Sequence, residues 1–426
     1  MTTTSEIHQL FLNSSGVCTD TRKLKSNQLF FALKGENFNA NTFAEKALDS
    51  GASYAVVDEE KYVKNSRCIL VHDVLESLQN LANYHRNYLN LNIIAITGSN
   101  GKTTTKELVK AVLSKKYKVK ATSGNLNNHI GVPLTLLEFT KETEVGIVEM
   151  GANHQKEIEN LCKIAEPDFG YITNFGKAHL EGFGGFEGVI KGKSELYTYL
   201  RKKNATIFIN RDDDLQVKQS EFSQVISFSE GKSADFQITF LEADPFVKLC
   251  YNNTTLTSRL IGVYNAKNLS AAVAIGLYFK VPDKQIKIAL EEYTPSNNRS
   301  QLLNKNKLKI ILDAYNANPT SMTLALQNLK GLETESKSVI LGDMLEIGEK
   351  ALEEHQAIVD KLSNLHLDNV FLIGSYFSKT KTSSAAKKFI DWKDFANHLE
   401  KNPIKTGTVL IKGSRKMALE RSLDYL

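Results

Sequence analysis

The stretch Ile93 to Thr105, IIAITGSNGKTTT, limits what this chain can fold into more than any other. Ile93 to Ile96 are apolar or small and read as a buried strand. Gly98-Ser99-Asn100-Gly101 is a glycine-bracketed turn, and Lys102, Thr103 and Thr104 open a helical pattern. Strand, glycine turn and helix in that order cradle phosphate: glycine lets backbone N–H groups approach the oxygens, and the helix N-terminus adds a positive end. Lys102 is placed to reach the β- and γ-phosphates of a nucleotide and the Thr103 hydroxyl to ligate Mg²⁺. The spacing departs from G-x-x-x-x-G-K-[ST], which would need glycine where Ile96 stands. The same turn can serve as a plain strand–helix connection, so the surrounding chain has to decide.

That chain is α/β throughout. Gln28–Leu33 and Tyr54–Val57 read as strands and 42–50 as a helix in a first unit, residues 1–85. A helix over 75–89 leads to the phosphate loop. Residues 86–296 then alternate strands (93–96, 117–121, 145–150, 169–173, 205–210) with helices, which predicts a mostly parallel sheet. Short alternating segments over 222–260 predict an antiparallel flap closing one edge, and 263–279 a helix. Residues 297–426 restart the alternation, with strands at 308–312, 338–341, 369–373 and 408–411. Three domains suit 426 residues, too many for one ordinary core. A net charge of +5 without a dense basic run suits a small anionic substrate and argues against nucleic acid. Cys18, Cys68, Cys162 and Cys250 are scattered, with no zinc or disulfide spacing. With neither a leader pattern nor an apolar run long enough to span a membrane, a cytoplasmic location is expected.

Ligands of parallel sheets bind at the C-terminal strand ends, and polar groups gather there. Glu149 ends an apolar strand, where a carboxylate needs a partner; Mg²⁺ beside Thr103 would be one. His179 follows the next strand, as a metal ligand, an acid–base group or a solvated loop residue. Lys191 and Lys193 lie ahead of Glu195 on a helix, either as surface charge or near phosphate. Asn125, Asn127 and Asn128 crowd one loop, suited to polar recognition. Asp313, Tyr315, Asn316 and Asn318 end a strand, the last three as candidate substrate contacts, with Asn318 and Pro319 starting a helix. Gly342–Glu346 and Lys412–Arg415 also fall at strand ends, predicting a face turned to ligand, and Arg299 in the preceding linker could reach phosphate. Near the N-terminus, Thr19-Asp20-Thr21-Arg22 and the turn from Lys34 to Asn41 suit a diphosphate or a base as well as they suit solvated turns.

Taken together these motifs resemble the Mur ligase family, ATP-dependent enzymes that form amides in peptidoglycan precursor synthesis. The likeness runs along essentially the whole chain. It is carried by Gly124–Asn128 continuing to Thr135, Glu149–His154, Ala178–Phe183, Asp313–Pro319 and Leu341–Glu346. Together these runs, unlike the phosphate loop, which is common to the family, are most similar to the member that joins D-alanyl-D-alanine to a UDP-N-acetylmuramoyl-tripeptide. The resemblance implies a small N-terminal substrate domain, a central phosphate-loop domain and a C-terminal Rossmann-like domain; with no coiled-coil pattern or large apolar stripe in the sequence, a monomer is the expectation. It implies that Gly98–Thr104, Asn265, Asn268, Arg299 and Asp313 bind ATP, with Asn265 and Asn268 at adenine. Glu149 and His179 match magnesium ligands, two ions being expected. Lys193 matches a lysine that is carbamylated in related ligases and then holds metal. Thr19, Asp20, Thr21, Arg22, Lys34 and Asn41 match the uridine-diphosphate pocket. Tyr264 and Asn41 stand where relatives often carry histidine, which leaves one adenine-edge contact and one uridine contact open.

Overall fold

The computed structural model describes residues 2–295, 298–382 and 386–426. At its centre lies a seven-stranded, all-parallel sheet. Its order is Phe236–Gln237, Gln224–Ser229, Thr206–Asn210, Phe169–Ile172, Asn92–Thr97, Val145–Glu149, Val119–Ala121. The strand Asn92–Thr97 is flanked by one strand whose end carries Glu149 and another whose end leads to Thr173. The chain switches from one side of it to the other at this point, which opens a crevice beyond the strand ends.

Side-chain alternation explains why this strand reads as an unbroken apolar run. Ile93 and Ala95 enter the core on one face, Ile94 and Ile96 the core on the other. Both faces are covered, as parallel sheets require. The helix Lys102–Leu113 lies on the second face and packs against the helix Tyr264–Tyr278. Gly276 permits that approach: a Cβ there would sit 2.5 Å from Val112 Cγ1.

The segment 222–260 departs from expectation. Gln224–Ser229 and Phe236–Gln237 pair in parallel and extend the central sheet. Only Thr239–Ala243, Phe246–Tyr251 and Thr254–Ile261 are antiparallel, and they form a separate three-stranded sheet packed on the helices Tyr264–Tyr278 and Asp283–Glu292. Gln224–Ser229 lies towards the sheet's margin and is only half covered along its first residues. Its alternating pattern therefore imitates that of an antiparallel strand.

Smaller sheets flank the centre. Val17–Cys18, Leu29–Phe31, Tyr54–Val57 and Cys68–Leu70 form a four-stranded parallel sheet. The helix Val74–Leu89 carries the chain onward, with His85 and Arg86 buried within it, and its apolar side belongs to the same core as Ile93, Ala95 and Val148. The six-stranded C-terminal sheet runs Gln301–Lys305, Leu308–Asp313, Gly407–Lys412, Lys337–Gly342, Asn369–Ile373, Ala386–Phe389. Its first strand is antiparallel and the rest are parallel. The strands Gln301–Lys305 and Ala386–Phe389 and the helix Thr4–Leu12, capped by a Thr3–Glu6 capping box, were not expected from the sequence. Among the described residues no helix is long and apolar enough to cross a membrane.

Candidate active site

The turn after Asn92–Thr97 is held by the neighbouring strand's loop. Thr173 Oγ1 and Asn174 Nδ2 donate to the Asn100 carbonyl at 2.6 and 2.9 Å, and Asn174 Oδ1 accepts from Asn100 N at 3.1 Å. Gly98, at φ +137°, must be glycine, since a Cβ would lie 2.0 Å from Thr173 Oγ1. Gly101, at φ +79°, abuts Asn268 in the same way, 2.6 Å from its Oδ1. Lys102 folds back over the loop and donates from Nζ to the carbonyls of Gly98 and Ser99 at 2.7 and 3.2 Å. Burial lowers its pKa, opposed by the Glu149 charge. Ser99 to Thr104 all line a cleft of about 610 Å³.

Glu149 is 1% exposed at the adjacent strand end. Its Oε1 accepts from Asn127 Nδ2 at 2.8 Å, while among the described residues its Oε2 has no hydrogen-bond partner; it lies 3.7 Å from Lys106 Nζ. A buried carboxylate oxygen left without a donor, on a cleft shared with Thr103 and His179, is chemistry that fits a divalent cation. His179 sits at φ +53°, its Nδ1 2.6 Å from Glu346 Oε2 but out of line for a hydrogen bond. Lys193 lies behind the cleft wall, 0% exposed; its Nζ donates to the Ala152 carbonyl at 2.9 Å and stands 4.9 Å from the centre of the Phe183 ring. Desolvation first, then the Lys102 charge, push its pKa well below the usual lysine value. Among the described residues no three His, Cys, Asp or Glu side chains gather into a ready-made metal cluster.

The C-terminal sheet forms the opposite wall. Asn318 caps the helix Pro319–Gly331 and also donates from Nδ2 to Asn100 Oδ1 in the phosphate loop at 2.7 Å. Arg299 stacks 3.5 Å from the centre of the Tyr315 ring. Asp313 takes the Ser300 N–H at 3.0 Å and pairs with buried Lys412 at 2.6 Å, while Lys412 also reaches the Asn316 carbonyl. Asn265 and Asn268 line the cleft, their amides linked to each other at 2.8 Å and to the Ile261 carbonyl. Tyr264, in place of the expected histidine, ties its hydroxyl to Ser300 at 2.8 Å.

Asn125, Asn127 and Asn128 line the cleft as well. Asn128 also has a local task, its Oδ1 accepting the Ile130 and Gly131 N–H groups at the start of the helix Gly131–Leu137. The other two strand-end clusters turn only partly to ligand. Leu345 and Glu346 line the cleft, but Asp343 does not: its carboxylate accepts the N–H groups of Tyr376 and Phe377, both at 2.9 Å. Ser414 holds the Leu345 N–H at 2.8 Å, and Arg415 pairs with Glu420 away from the cleft. Thr19, Asp20, Thr21, Arg22, Lys34 and Asn41 are not among the cleft's lining residues. They cluster at the C-terminal strand ends of the small sheet, where Arg22 pairs with Asp20, Lys34 with Asp58 and Glu59, and Asn41 with Asp58. Sequence reasoning missed Thr173, Asn174 and Lys106; the last carried a readable signal, one helical turn beyond Lys102.

A phosphate loop on a parallel sheet, an unmet carboxylate beside it and a second nucleotide-fold sheet docked across the cleft define a class: enzymes that work on a nucleotide between two α/β bodies. The chain belongs to the Mur ligase family. Residues 96–276 match the Mur ligase middle domain and residues 298–423 the Mur ligase, glutamate ligase domain. It is 36% identical to the UDP-N-acetylmuramoyl-tripeptide–D-alanyl-D-alanine ligase of Bacillus subtilis over 96% of this chain and 93% of that protein. With the ligase of the same name from Escherichia coli it shares 31% identity over 99% of this chain and 95% of that one. A crystal structure of MurF from Acinetobacter baumannii superimposes with a TM-score of 0.87 at 31% identity, over 98% of this chain and 97% of that one. MurF from Thermotoga maritima in complex with ADP superimposes with a TM-score of 0.85 at 26% identity, over the same shares.

Proposed function

We propose that this chain is the ATP-dependent ligase that joins D-alanyl-D-alanine to a UDP-N-acetylmuramoyl-tripeptide, the last ligation in making the peptidoglycan precursor. The observation that carries the reading is the meeting, in one cleft, of the phosphate loop, the unmet Glu149 oxygen and the Asn-rich loop. Its relatives' shared name, over nearly the full chain, supports the choice of substrates.

The tripeptide's terminal carboxylate attacks the γ-phosphorus of ATP. The bond to the β-phosphate oxygen breaks, ADP leaves and an acyl phosphate forms. The amine of D-alanyl-D-alanine then attacks the acyl carbon, loses a proton, and expels phosphate. Phosphoryl transfer chiefly needs positioning and charge neutralisation. Lys102 leaves its own loop carbonyls to meet the phosphates, and Arg299 approaches from the opposite wall. Thr103, Glu149 and His179 would hold Mg²⁺, which neutralises phosphate charge when bound. The Asn-rich loop faces the acyl substrate, and the uridine diphosphate lies on the small sheet at Thr19–Arg22, Lys34 and Asn41. Docking of the C-terminal sheet keeps water from the acyl phosphate. Burial disfavours the charged form of the Lys193 amine; its neutral form would add to CO₂, an N–C bond forming and a proton leaving, and the carbamate would give the metal site a second anion besides Glu149. We place the enzyme in the cytoplasm as a monomer, serving cell-wall growth and division, with domains at 1–85, 86–296 and 297–426.

Purified protein should release phosphate from ATP only when a UDP-tripeptide and D-alanyl-D-alanine are both present. Turnover with a UDP-dipeptide and a diamino acid instead would sink the assignment. Running the meso-diaminopimelate and L-lysine tripeptides side by side fixes the third residue.

A further inference from the structure

Lys106 is a fully buried lysine that the proposed mechanism does not use. Such burial is rare for lysine unless the ammonium is paired. It projects from the phosphate-loop helix Lys102–Leu113 into the gap between two strand ends. Its Nζ donates to the Thr122 carbonyl at 2.6 Å and lies 3.5 Å from the Gly124 carbonyl, 3.0 Å from Glu107 Oε1 and 3.7 Å from Glu149 Oε2.

The groups around it close a circuit. Thr122 Oγ1 accepts the Glu149 N–H at 2.9 Å, Glu149 Oε1 accepts from Asn127 Nδ2 at 2.8 Å, and Asn127 O accepts the Gly151 N–H at 2.8 Å. Gly151 packs so close to Asn127 that a Cβ there would lie 2.8 Å from its side chain. One ammonium therefore joins three pieces: the nucleotide's helix, the root of the Asn-rich loop and the carboxylate at the next strand end. Neutral side chains could fill the space, but only a cation answers both the converging carbonyls and the Glu149 charge.

We propose that Lys106 is a positioning residue for the ligation: it sets the Asn-rich loop and Glu149 in register with the phosphate loop, so that the acyl substrate's carboxylate faces the γ-phosphate. The inference rests on the ligase reading above. It predicts a split that a purely structural lysine would not produce. Lys106 touches no part of the phosphate turn itself, so nucleotide affinity survives its loss while use of the acyl substrate does not.

The test uses Lys106→Met, which keeps length and removes charge, and Lys106→Gln, which keeps one donor for the Thr122 carbonyl. ADP affinity, KM for the UDP-tripeptide and kcat are measured on protein whose fold is checked by circular dichroism. The expected result is ADP affinity within 3-fold of the parent, KM for the UDP-tripeptide raised 10-fold or more and kcat reduced at least 10-fold, with Lys106→Gln intermediate. Parent-like kcat and KM in either variant overturns the proposal. So does a loss of ADP affinity parallel to the loss of activity, or failure of both variants to fold, since Lys106 is then a residue of the general scaffold. If the parent itself ligates nothing, it is the ligase reading that has failed.

Discussion

Lys193 shows how far burial can change what a residue type means. An ammonium with one carbonyl acceptor and, among the described residues, no carboxylate within salt-bridge distance is costly to keep charged in the interior, even with the charges of Glu157 and Glu195 farther off partly offsetting the cost. A neutral amine is the form that carbamylates, so the environment that disfavours the cation favours the modification. Replacing Lys193 with alanine should cut phosphate release by roughly 100-fold, and short-chain carboxylates should restore part of it. Full activity without rescue would show that the amine has no part in the reaction. Glu149 was readable as functional because a carboxylate closing an apolar strand demands a partner. For Lys106 the sequence offered only its place one helical turn beyond Lys102; apart from the adjacent Glu107, its partners are the Thr122 and Gly124 carbonyls and Glu149, which only the packed sheet brings to it.

At the level of the element, the docking of the C-terminal sheet is written in a few contacts. Asn318 meets Asn100, Glu346 approaches His179, and Lys177 pairs with Glu354 at 2.5 Å. Asn318 and Pro319 are legible in the sequence as a helix start, and the structure has them as cap and first helical residue. That the same cap reaches across to the phosphate loop is not legible, since it depends on where the two sheets sit. Asn318→Ala should cost about 1 kcal/mol in the thermal stability of the C-terminal sheet through the lost cap. Loss of the bridge should also lower kcat several-fold while ADP affinity holds. Asn318→Ser, which keeps the cap but is too short for the bridge, separates the two effects; parent-like kcat in that variant would show the bridge to be idle. Gln224–Ser229 teaches a related lesson, because incomplete cover over a parallel strand yields the alternation expected of an antiparallel one.

For the molecule as a whole, one core runs from the N-terminal helix to the central sheet. His8 and His85 lie inside it, Nε2 of one 3.1 Å from Nδ1 of the other, and His85 Nε2 is 2.9 Å from the Phe139 carbonyl. The pair links the helices Thr4–Leu12 and Val74–Leu89 to the central body. Burial lowers both pKa values, for His8 with the His85 charge adding to it. The folded state thus binds fewer protons than the unfolded chain. The stabilisation is complete above the unfolded histidine value, about 6.5, and is lost as pH falls below it towards the folded values. Melting temperature should drop between roughly pH 7 and pH 5, and less steeply in His8→Gln. Equal slopes for parent and variant would remove the pair from the account.

The local alternation of strands and helices, the glycine turn and the strand-end polar residues follow from short-range rules, so the α/β class and the phosphate loop were settled by the order of residues alone. The motifs that carried the family resemblance likewise lie in short unbroken runs. Sheet order, the separate antiparallel sheet, the turning of Asp343 away from the cleft and the company of Lys106 and Lys193 depend on contacts between residues distant in the chain. A residue's local pattern states what it can do; which carboxylate, carbonyl or ring stands opposite it, and how much water is left there, is decided only when the sheets pack.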